Sequence, residues 1–305
     1  MGRKQVLLAD TSLLLIAIAW GYTFVLTKDI LRELAPLTFT GARFLLAGLI
    51  LFAFRWRSLI KLSREQLIQG GITGLLLCAA FTTQIVGIEY TTPGKAGLLT
   101  GTTVVFVPFL AYLIYKIAVH KGAMVGSFVT FCGLLLLSWD NSWSGISVGD
   151  ILILFSALFF ALHIIAVDRI WNENDSFHLL DFTMLQLMTV GVVDLVLASW
   201  LEPMPEGLSW YGWYAFFFDC LVGTLLAYLV QIKAQQYTPP IHVGIIMSME
   251  AMFAVLFSWI LWGEQFTPTV LFGIVLIIAA IFITVLTERP SENKQEQSTE
   301  EVHVK

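Results

Sequence analysis

The chain has 305 residues, of which 57% are hydrophobic and only 13% are charged. Soluble domains contain about 25% charged residues, so this composition excludes a soluble globular protein and indicates an integral membrane protein. The formal net charge of −5 is modest and gives no indication of nucleic-acid binding.

Apolar runs follow one another from end to end, each close to the length that a helix needs to cross about 30 Å of hydrocarbon. Charged breaks and breaks containing Pro or Gly divide them into ten predicted spans: 10–31, 36–54, 67–88, 93–115, 121–139, 149–169, 179–200, 211–234, 240–263 and 267–287. The first run exceeds the core of a signal peptide, so we expect it to stay in the protein. The predicted fold is an all-α integral membrane protein, and the polar segment 288–305 is predicted to be a disordered cytoplasmic tail.

The distribution of basic residues predicts the orientation. With ten helices and a cytoplasmic N-terminus, thirteen Lys and Arg residues fall inside and three, Lys28, Arg32 and Lys95, fall outside. Cytoplasmic loops carry an excess of Lys and Arg in membrane proteins. We therefore expect a multi-pass protein of the cytoplasmic (plasma) membrane with both termini in the cytoplasm.

The sequence contains an internal repeat. At an offset of 147 positions, Tyr90-Thr91-Thr92-Pro93 aligns with Tyr237-Thr238-Pro239-Pro240. The same offset aligns further identical residues: Ala80 with Ala227, Gln84 with Gln231, Ile85 with Ile232, Gly97 with Gly244, Phe106 with Phe253 and Gly126 with Gly273. Earlier in each half, an offset of 143 aligns Phe39-Thr40 with Phe182-Thr183 and Gly48 with Gly191. This pattern predicts two five-helix repeats, over residues 10–139 and 149–287.

Five is an odd number, so the second repeat enters the membrane from the opposite side to the first. Inverted-topology repeats give two related conformations around a site near the membrane midplane, which is what alternating access requires. A duplication with a purely structural role is the alternative.

Three motifs carry a resemblance to a known family. The first helix contains WGYTFVLTK from Trp20, the fourth reads YTTPGKAGLLTGTTVVFVPF from Tyr90, and the ninth ends in SMEAMFAVLFSWILWGE at Glu264. Together they resemble the EamA-type domain of the drug/metabolite transporter superfamily, over roughly residues 10 to 287. The resemblance implies a ten-helix carrier made of paired five-helix domains, often an exporter of small metabolites or drugs, with a central cavity between the halves.

Glu250 is the ionisable residue nearest the middle of the ninth span. A charge at a helix centre costs ~2.5–3.5 kcal/mol on insertion scales, so this side chain is predicted to face protein or water. A carboxyl group buried without a cationic partner favours its neutral form, which makes Glu250 a candidate proton carrier. The alternative is a carboxyl group that hydrogen-bonds across helices and stabilises the bundle.

Arg43 lies inside the second span and cannot give up its charge. It has three alternatives: extension toward the outer headgroups, an ion pair with Asp194 or Asp219, or binding of an anionic substrate group. Lys28 and Lys95 lie near span ends and are interpreted mainly as interfacial anchors. Acidic residues in the spans would favour a cationic substrate and basic ones an anionic substrate, and the sequence leaves the choice open.

Further polar and aromatic residues are candidates for substrate binding. Trp20 belongs to a mildly polar stripe on the first helix, Gln84 and Gln231 occupy equivalent repeat positions, and Tyr228 precedes Gln231 by one turn. His163, deep in the sixth span, could bind substrate or transfer a proton. For each, hydrogen bonding or packing between helices is the alternative reading.

The sequence does not predict an enzyme. His163 and Asp168 are five residues apart, about 140° around a straight helix, and would not converge on one substrate. There is no Gly-rich phosphate loop and no H-E-x-x-H motif. Three cysteines in separate apolar runs predict no metal site, and no cofactor is expected.

The predicted function is a secondary transporter of small metabolites or drug-like molecules, working outward by alternating access, with protons as a candidate coupling ion. The expected partners are a small-molecule substrate and the lipid bilayer, and no nucleic acid. A passive channel or facilitator for a small polar solute is the alternative.

Overall fold

The computed structural model describes residues 3–116, 121–139, 146–173, 177–235 and 240–287. The predicted tail at 288–305 lies outside the described residues. The described chain forms the following α-helices: α1 (Arg3–Ile30), α2 (Pro36–Leu59), α3 (Arg64–Glu89), α4 (Pro93–Gly101), α5 (Thr103–Tyr115), α6 (Lys121–Trp139), α7 (Val148–Glu173), α8 (Leu179–Leu201), α9 (Trp210–Phe218), α10 (Ala227–Gln235), α11 (Pro240–Leu261) and α12 (Pro268–Thr287). A π-helical segment, Asp219–Leu226, joins α9 to α10.

Seven stretches of the described residues are long and apolar enough to cross a membrane. They are Leu7–Ile30, Pro36–Leu59, Arg64–Glu89, Pro93–Ile114, Val148–Ile170, Leu179–Leu201 and Trp210–Ala234. Shorter apolar stretches lie within α6, α11 and α12. Large apolar side chains on the outside of the bundle, such as Phe54, Phe128 and Trp200, are well exposed, as expected of a surface that contacts lipid.

The predicted span at 93–115 is divided into two helices at Thr102. The hydroxyl groups of Thr102 and Thr103 donate to the carbonyl oxygens of Leu99 (2.6 Å) and Thr100 (2.7 Å). Such back-bonding by Thr side chains bends helices. Pro108, inside α5, also lacks the amide that would bond the carbonyl one turn earlier. The apolar pattern continues across this point, so it does not predict the break.

Helices from the two halves of the chain pair in a regular pattern. α2 packs along α8, α6 along α12, and α4 against α11. The contact of α3 with α7 is matched by that of α1 with α10 and the π-helical segment. Likewise, α1 packs on α11 as α7 packs on α4 and α5. Each of these contacts joins a helix before residue 140 to one after it.

Glycines permit the closest approach of α2 to α8. A Cβ atom on Gly191 would lie 2.4 Å from the amide nitrogen of Leu45, and one on Gly48 would lie 2.8 Å from Cγ of Met188. Leu45 and Met188 are separated by the same 143 positions as the two glycines. The crossing therefore contains the same glycine contact twice, once in each direction.

Polar contacts tie the two halves together at one end of the bundle, called here the Glu264 end. The Glu202 carboxylate, after α8, accepts hydrogen bonds from the backbone amides of Leu37 and Thr38 (2.7 Å each) at the start of α2. The Glu33 carboxylate accepts from the amide and hydroxyl of Ser209 (2.7 Å each). These donors lower the pKa of Glu33 below its ordinary value.

Two further carboxylates at the Glu264 end contact the start of α4. Glu264 accepts hydrogen bonds from the Gly94 amide (3.2 Å) and from the hydroxyl groups of Thr92 and Ser258. Buried Lys95 forms an ion pair of 2.7 Å with Asp150, at the start of α7. Helix N-termini favour anionic partners, which explains why carboxylates of the second half lie at helix starts of the first half.

Candidate functional site

A buried ion pair lies where α9 passes into the π-helical segment. Nη1 of Arg43 is 3.5 Å from Oδ2 of Asp219, and both side chains are almost fully buried. The Thr27 hydroxyl donates to the same carboxylate oxygen at 3.0 Å. Of the alternatives for Arg43, the structure contains the ion pair. π-Helical turns occur often at functional sites, and this one carries the acidic partner.

Aromatic rings surround the Arg43 guanidinium. Its carbon atom lies 4.8 Å from the ring centre of Phe39, 5.1 Å from that of Phe44 and 5.2 Å from that of Phe81. Ring faces attract cations at these distances, and the attraction is stronger where water is excluded. The charge of Arg43 is therefore held by one carboxylate and three rings.

Asp194 is a second buried carboxyl group close to Arg43. Its Oδ1 accepts hydrogen bonds from the hydroxyl of Thr82 (2.7 Å) and the thiol of Cys78 (3.4 Å). Its other oxygen, Oδ2, has no hydrogen-bond partner in the described part of the chain, nor has Oδ1 of Asp219. Arg43 and Asp194 interact electrostatically, so both acidic candidates named from the sequence lie near this guanidinium.

Trp20 and Tyr228 contact each other beside the ion pair, with ring centres 6.2 Å apart. The indole Nε1 of Trp20 donates to the carbonyl oxygen of Gly223 at 2.8 Å, which fixes the ring against the π-helical segment. Tyr228 also lies 6.3 Å from Phe81, its equivalent in the first half. The Trp20 and Phe81 side chains are both partly exposed inside the bundle.

Glu250 lies on the face of α11 that packs against α1. Its neighbours on this face contact α1: a Cβ on Gly21 would meet Phe253, and the Phe257 ring is 5.5 Å from that of Tyr22. The Glu250 side chain is partly exposed and forms no hydrogen bond or ion pair with the described residues. Tyr228 interacts electrostatically with both Glu250 and Arg43.

Gln231 follows Tyr228 by one turn on α10. Its Oε1 atom is buried and, among the described residues, lacks a hydrogen-bond partner. An unpaired buried amide oxygen is costly, so a hydrogen-bond donor brought next to this atom would be favourable. We call Trp20, Tyr228, Gln231 and Glu250 the central site.

The structure places Gln84 and His163 in separate contacts. The Gln84 amide donates to the Thr100 hydroxyl at 3.1 Å, within the first half. Nε2 of His163 lies 2.6 Å from Oε1 of Gln186 on the neighbouring helix. Of the seven residues predicted from the sequence, the structure thus brings together Trp20, Tyr228, Gln231 and Glu250, with Arg43 adjacent, and engages the other two elsewhere.

Sequence reasoning missed the aromatic side of this region. The rings of Phe81 and Phe160 are 5.0 Å apart, and those of Phe81 and Phe44 are 4.7 Å apart. The offset of 147 positions that aligns Gln84 with Gln231 also aligns Phe81 with Tyr228, and this was the available signal. Among the described residues, no group of three His, Cys, Asp or Glu side chains is arranged to hold a metal ion.

The sequence is similar to those of known membrane transporters. A family model described as the EamA-like transporter family matches residues 7–139 and 147–286. An uncharacterized transporter of Archaeoglobus fulgidus is 31% identical over 252 residues, which cover 83% of this chain and 77% of the relative. The uncharacterized inner membrane transporter YedA of Escherichia coli is 27% identical over 73% of each chain.

A solved crystal structure has a similar fold. It superposes with a TM-score of 0.66 and covers 93% of this chain and 98% of the other, at 13% sequence identity. At this identity the similarity concerns the arrangement of helices alone.

Proposed function

Because the chain belongs to the EamA-like transporter family, we propose that it is a secondary transporter of small metabolites or drug-like molecules that works by alternating access. One observation carries this proposal. Glu250, midway along α11, is partly exposed and lies on the helix face that packs against α1 of the other half. A carboxyl group in this position suits a substrate site between two halves that move against each other.

The proposed architecture is ten spans in two inverted repeats, residues 10–139 and 149–287. The helix pairing supports it, because the main contacts between the halves are matched when each helix is exchanged with its equivalent: α2 with α8, α6 with α12, α4 with α11, and α3–α7 with α1–α10. The reciprocal glycine contacts of Gly48 and Gly191 support it at atomic detail. A two-fold relation between oppositely inserted halves is what allows similar conformations to open to either side.

The proposed orientation places the Glu264 end outside and both termini in the cytoplasm, in the cytoplasmic membrane. The excess of Lys and Arg at the opposite end supports it. In this orientation, the contacts of Glu33, Lys95, Glu202 and Glu264 hold the outer ends of the two halves together. Opening to the outside would break these contacts, and export would proceed from an inward-facing to an outward-facing state.

Protons are the proposed coupling ion, with Glu250 as their carrier. The carboxyl group would be hydrated when the site opens and would take up a proton when the site closes. Tyr228 lies within electrostatic range of Glu250 and of Arg43, which is paired with Asp219. Neither Tyr228 nor Arg43 donates a hydrogen bond to Glu250, which leaves its protonation free to change.

Counterflow in proteoliposomes tests the proposed function. Substrates would first be identified by comparing the accumulation of radiolabelled metabolites in cells with and without the protein. Vesicles preloaded with unlabelled substrate should then transiently accumulate the labelled form above its external concentration. A channel lets the label equilibrate without this overshoot, so simple equilibration would contradict a carrier and favour a facilitator.

A further inference from the structure

We propose that the transported molecule is an organic cation, with an amine or ammonium group bound by Glu250 and an apolar body that packs against Trp20 and Tyr228. This inference rests on the transport function proposed above and adds the charge and the chemical class of the substrate. The sequence alone leaves both charge preferences open, because acidic and basic side chains occur together in the spans.

The basic side chains of the first four predicted spans are already engaged by the protein. Arg43 is paired with Asp219, and three phenyl rings surround its guanidinium. Lys95 is paired with Asp150 at the Glu264 end. Nζ of Lys28 donates to the carbonyl oxygens of Ile88 (2.9 Å) and Glu89 (2.8 Å), which end α3. An anionic substrate would have to displace one of these partners.

The carboxyl groups near the site, unlike the basic side chains, are not all paired with an opposite charge. Asp219 compensates Arg43, and the Tyr228 hydroxyl lies within electrostatic range of both Arg43 and Glu250. With Asp194, which also lies near Arg43, these side chains comprise three carboxyl groups and one guanidinium, so negative charge exceeds positive charge when Glu250 and either aspartate are ionised. Binding a single positive charge at Glu250 would neutralise it, whereas binding an anion would add to the imbalance.

The neighbouring groups favour an organic cation over a metal ion. Ca²⁺ takes six to eight oxygen ligands and Mg²⁺ takes six, and no acidic or histidine cluster able to hold a metal occurs among the described residues. Trp20 and Tyr228 instead supply ring faces, which attract ammonium groups and pack against apolar carbon. The unpaired Oε1 of Gln231 can accept a hydrogen bond from an amine N–H.

Equilibrium dialysis with the full chain in phosphatidylcholine nanodiscs tests the proposal, with empty nanodiscs as the correction for lipid partitioning. The probes are a matched set on one phenyl body: 2-phenylethylamine, its trimethylammonium analogue, neutral 2-phenylethanol and anionic 3-phenylpropanoate, together with the naphthyl equivalent of each. We expect the cations to bind at least about tenfold more tightly than the neutral and anionic members.

Substitutions at Glu250 assign that preference to its carboxylate. Glu250→Gln should lower cation affinity at least about tenfold, while Glu250→Asp should keep the preference for cations. Glu206→Gln, a matched change in the exposed segment between α8 and α9, should leave binding unchanged. Thermal melting of each variant shows that it is folded.

Three results would overturn the proposal: equal or tighter binding of the neutral or anionic probes, no binding of any cation to the unmodified protein, or unchanged cation affinity in Glu250→Gln. A failure of the proposed transport function gives a different result. In that case cations bind with the expected selectivity, yet a bound cation shows no counterflow in proteoliposomes.

Discussion

Arg43 and Asp219 form an ion pair of 3.5 Å between α2 and the π-helical segment, with both side chains almost fully buried. The pair joins the two halves of the chain near the central site. Desolvating two charges is costly, and their attraction offsets the cost only while both partners are present. The ion pair is thus expected to stay formed while the neighbouring site binds and releases its substrate.

Removing one partner of this pair should destabilise the protein strongly. Asp219→Asn leaves the Arg43 charge without its carboxylate, and we expect a loss of about 3–5 kcal/mol in the free energy of unfolding. The double variant Arg43→Gln/Asp219→Asn removes both charges and should recover much of this loss. Denaturant titration in detergent micelles measures both. A double variant whose loss of stability equals the sum of the losses in Asp219→Asn and Arg43→Gln would show that the two charges do not interact.

The α2/α8 crossing gives a prediction with an internal control. Gly191→Ala places a Cβ within 2.4 Å of backbone, so the helices must separate, at a cost of about 1–3 kcal/mol. At Gly71 a Cβ would meet nothing within 4 Å. There, Gly→Ala should be neutral or stabilise α3 by up to about 1 kcal/mol, because Ala is the better helix former. Equal melting temperatures for the two variants would contradict the close crossing.

The Glu202 carboxylate acts as a cap for a helix in the other half. Because it accepts hydrogen bonds from the first amides of α2, Glu202→Ala should cost about 0.5–2 kcal/mol. Glu206→Ala, four residues along in the same exposed segment, should cost nothing measurable. Thermal melting compares the two variants, and equal stability of Glu202→Ala and Glu206→Ala would refute the capping role.

The sequence predicted an all-helical membrane protein, and seven of its ten predicted spans correspond to described stretches that are long and apolar enough to cross a membrane. It also named Asp219 among the two candidate partners of Arg43. It did not predict the break at Thr102 or the π-helical turn, since both depend on local hydrogen bonding inside continuous apolar runs. Glu202 and its α2 amides are about 165 positions apart, a contact that only tertiary packing creates.

The sequence predicted only part of the candidate site, because contacts between distant residues decide which polar atoms are satisfied. Repeat equivalence assigned Gln84 and Gln231 the same role, but Thr100 satisfies the Gln84 amide while Oε1 of Gln231 lacks a partner in the described structure. The proposed two-fold relation therefore does not extend to the hydrogen bonds of these two amides. Sequence periodicity describes which face a residue occupies, and it does not describe whether a neighbour satisfies its polar atoms.

Glu250→Gln separates proton coupling from a structural role. Glutamine keeps the shape and hydrogen-bonding capacity of the side chain but cannot titrate, whereas Glu250→Ala removes both. We expect the glutamine variant to remain folded and to lose the pH dependence of transport, measured as uptake rate against pH in proteoliposomes. A glutamine variant with an unchanged rate and pH profile would end the proton-carrier proposal. A silent glutamine variant with an unstable alanine variant would favour the structural role.

Reciprocal accessibility of one cysteine tests alternating access most directly. Gln231→Cys is introduced after replacing Cys78, Cys132 and Cys220, and its modification by an impermeant thiol reagent is timed in right-side-out and inside-out vesicles. Glu264→Gln weakens the contacts of that carboxylate with Thr92 and Gly94, and Glu206→Gln serves as the control. We predict that Glu264→Gln raises the rate from outside and lowers the rate from inside, because a site open to one side is closed to the other. Rates that rise together from both sides, or an outside rate that does not change, would contradict the account.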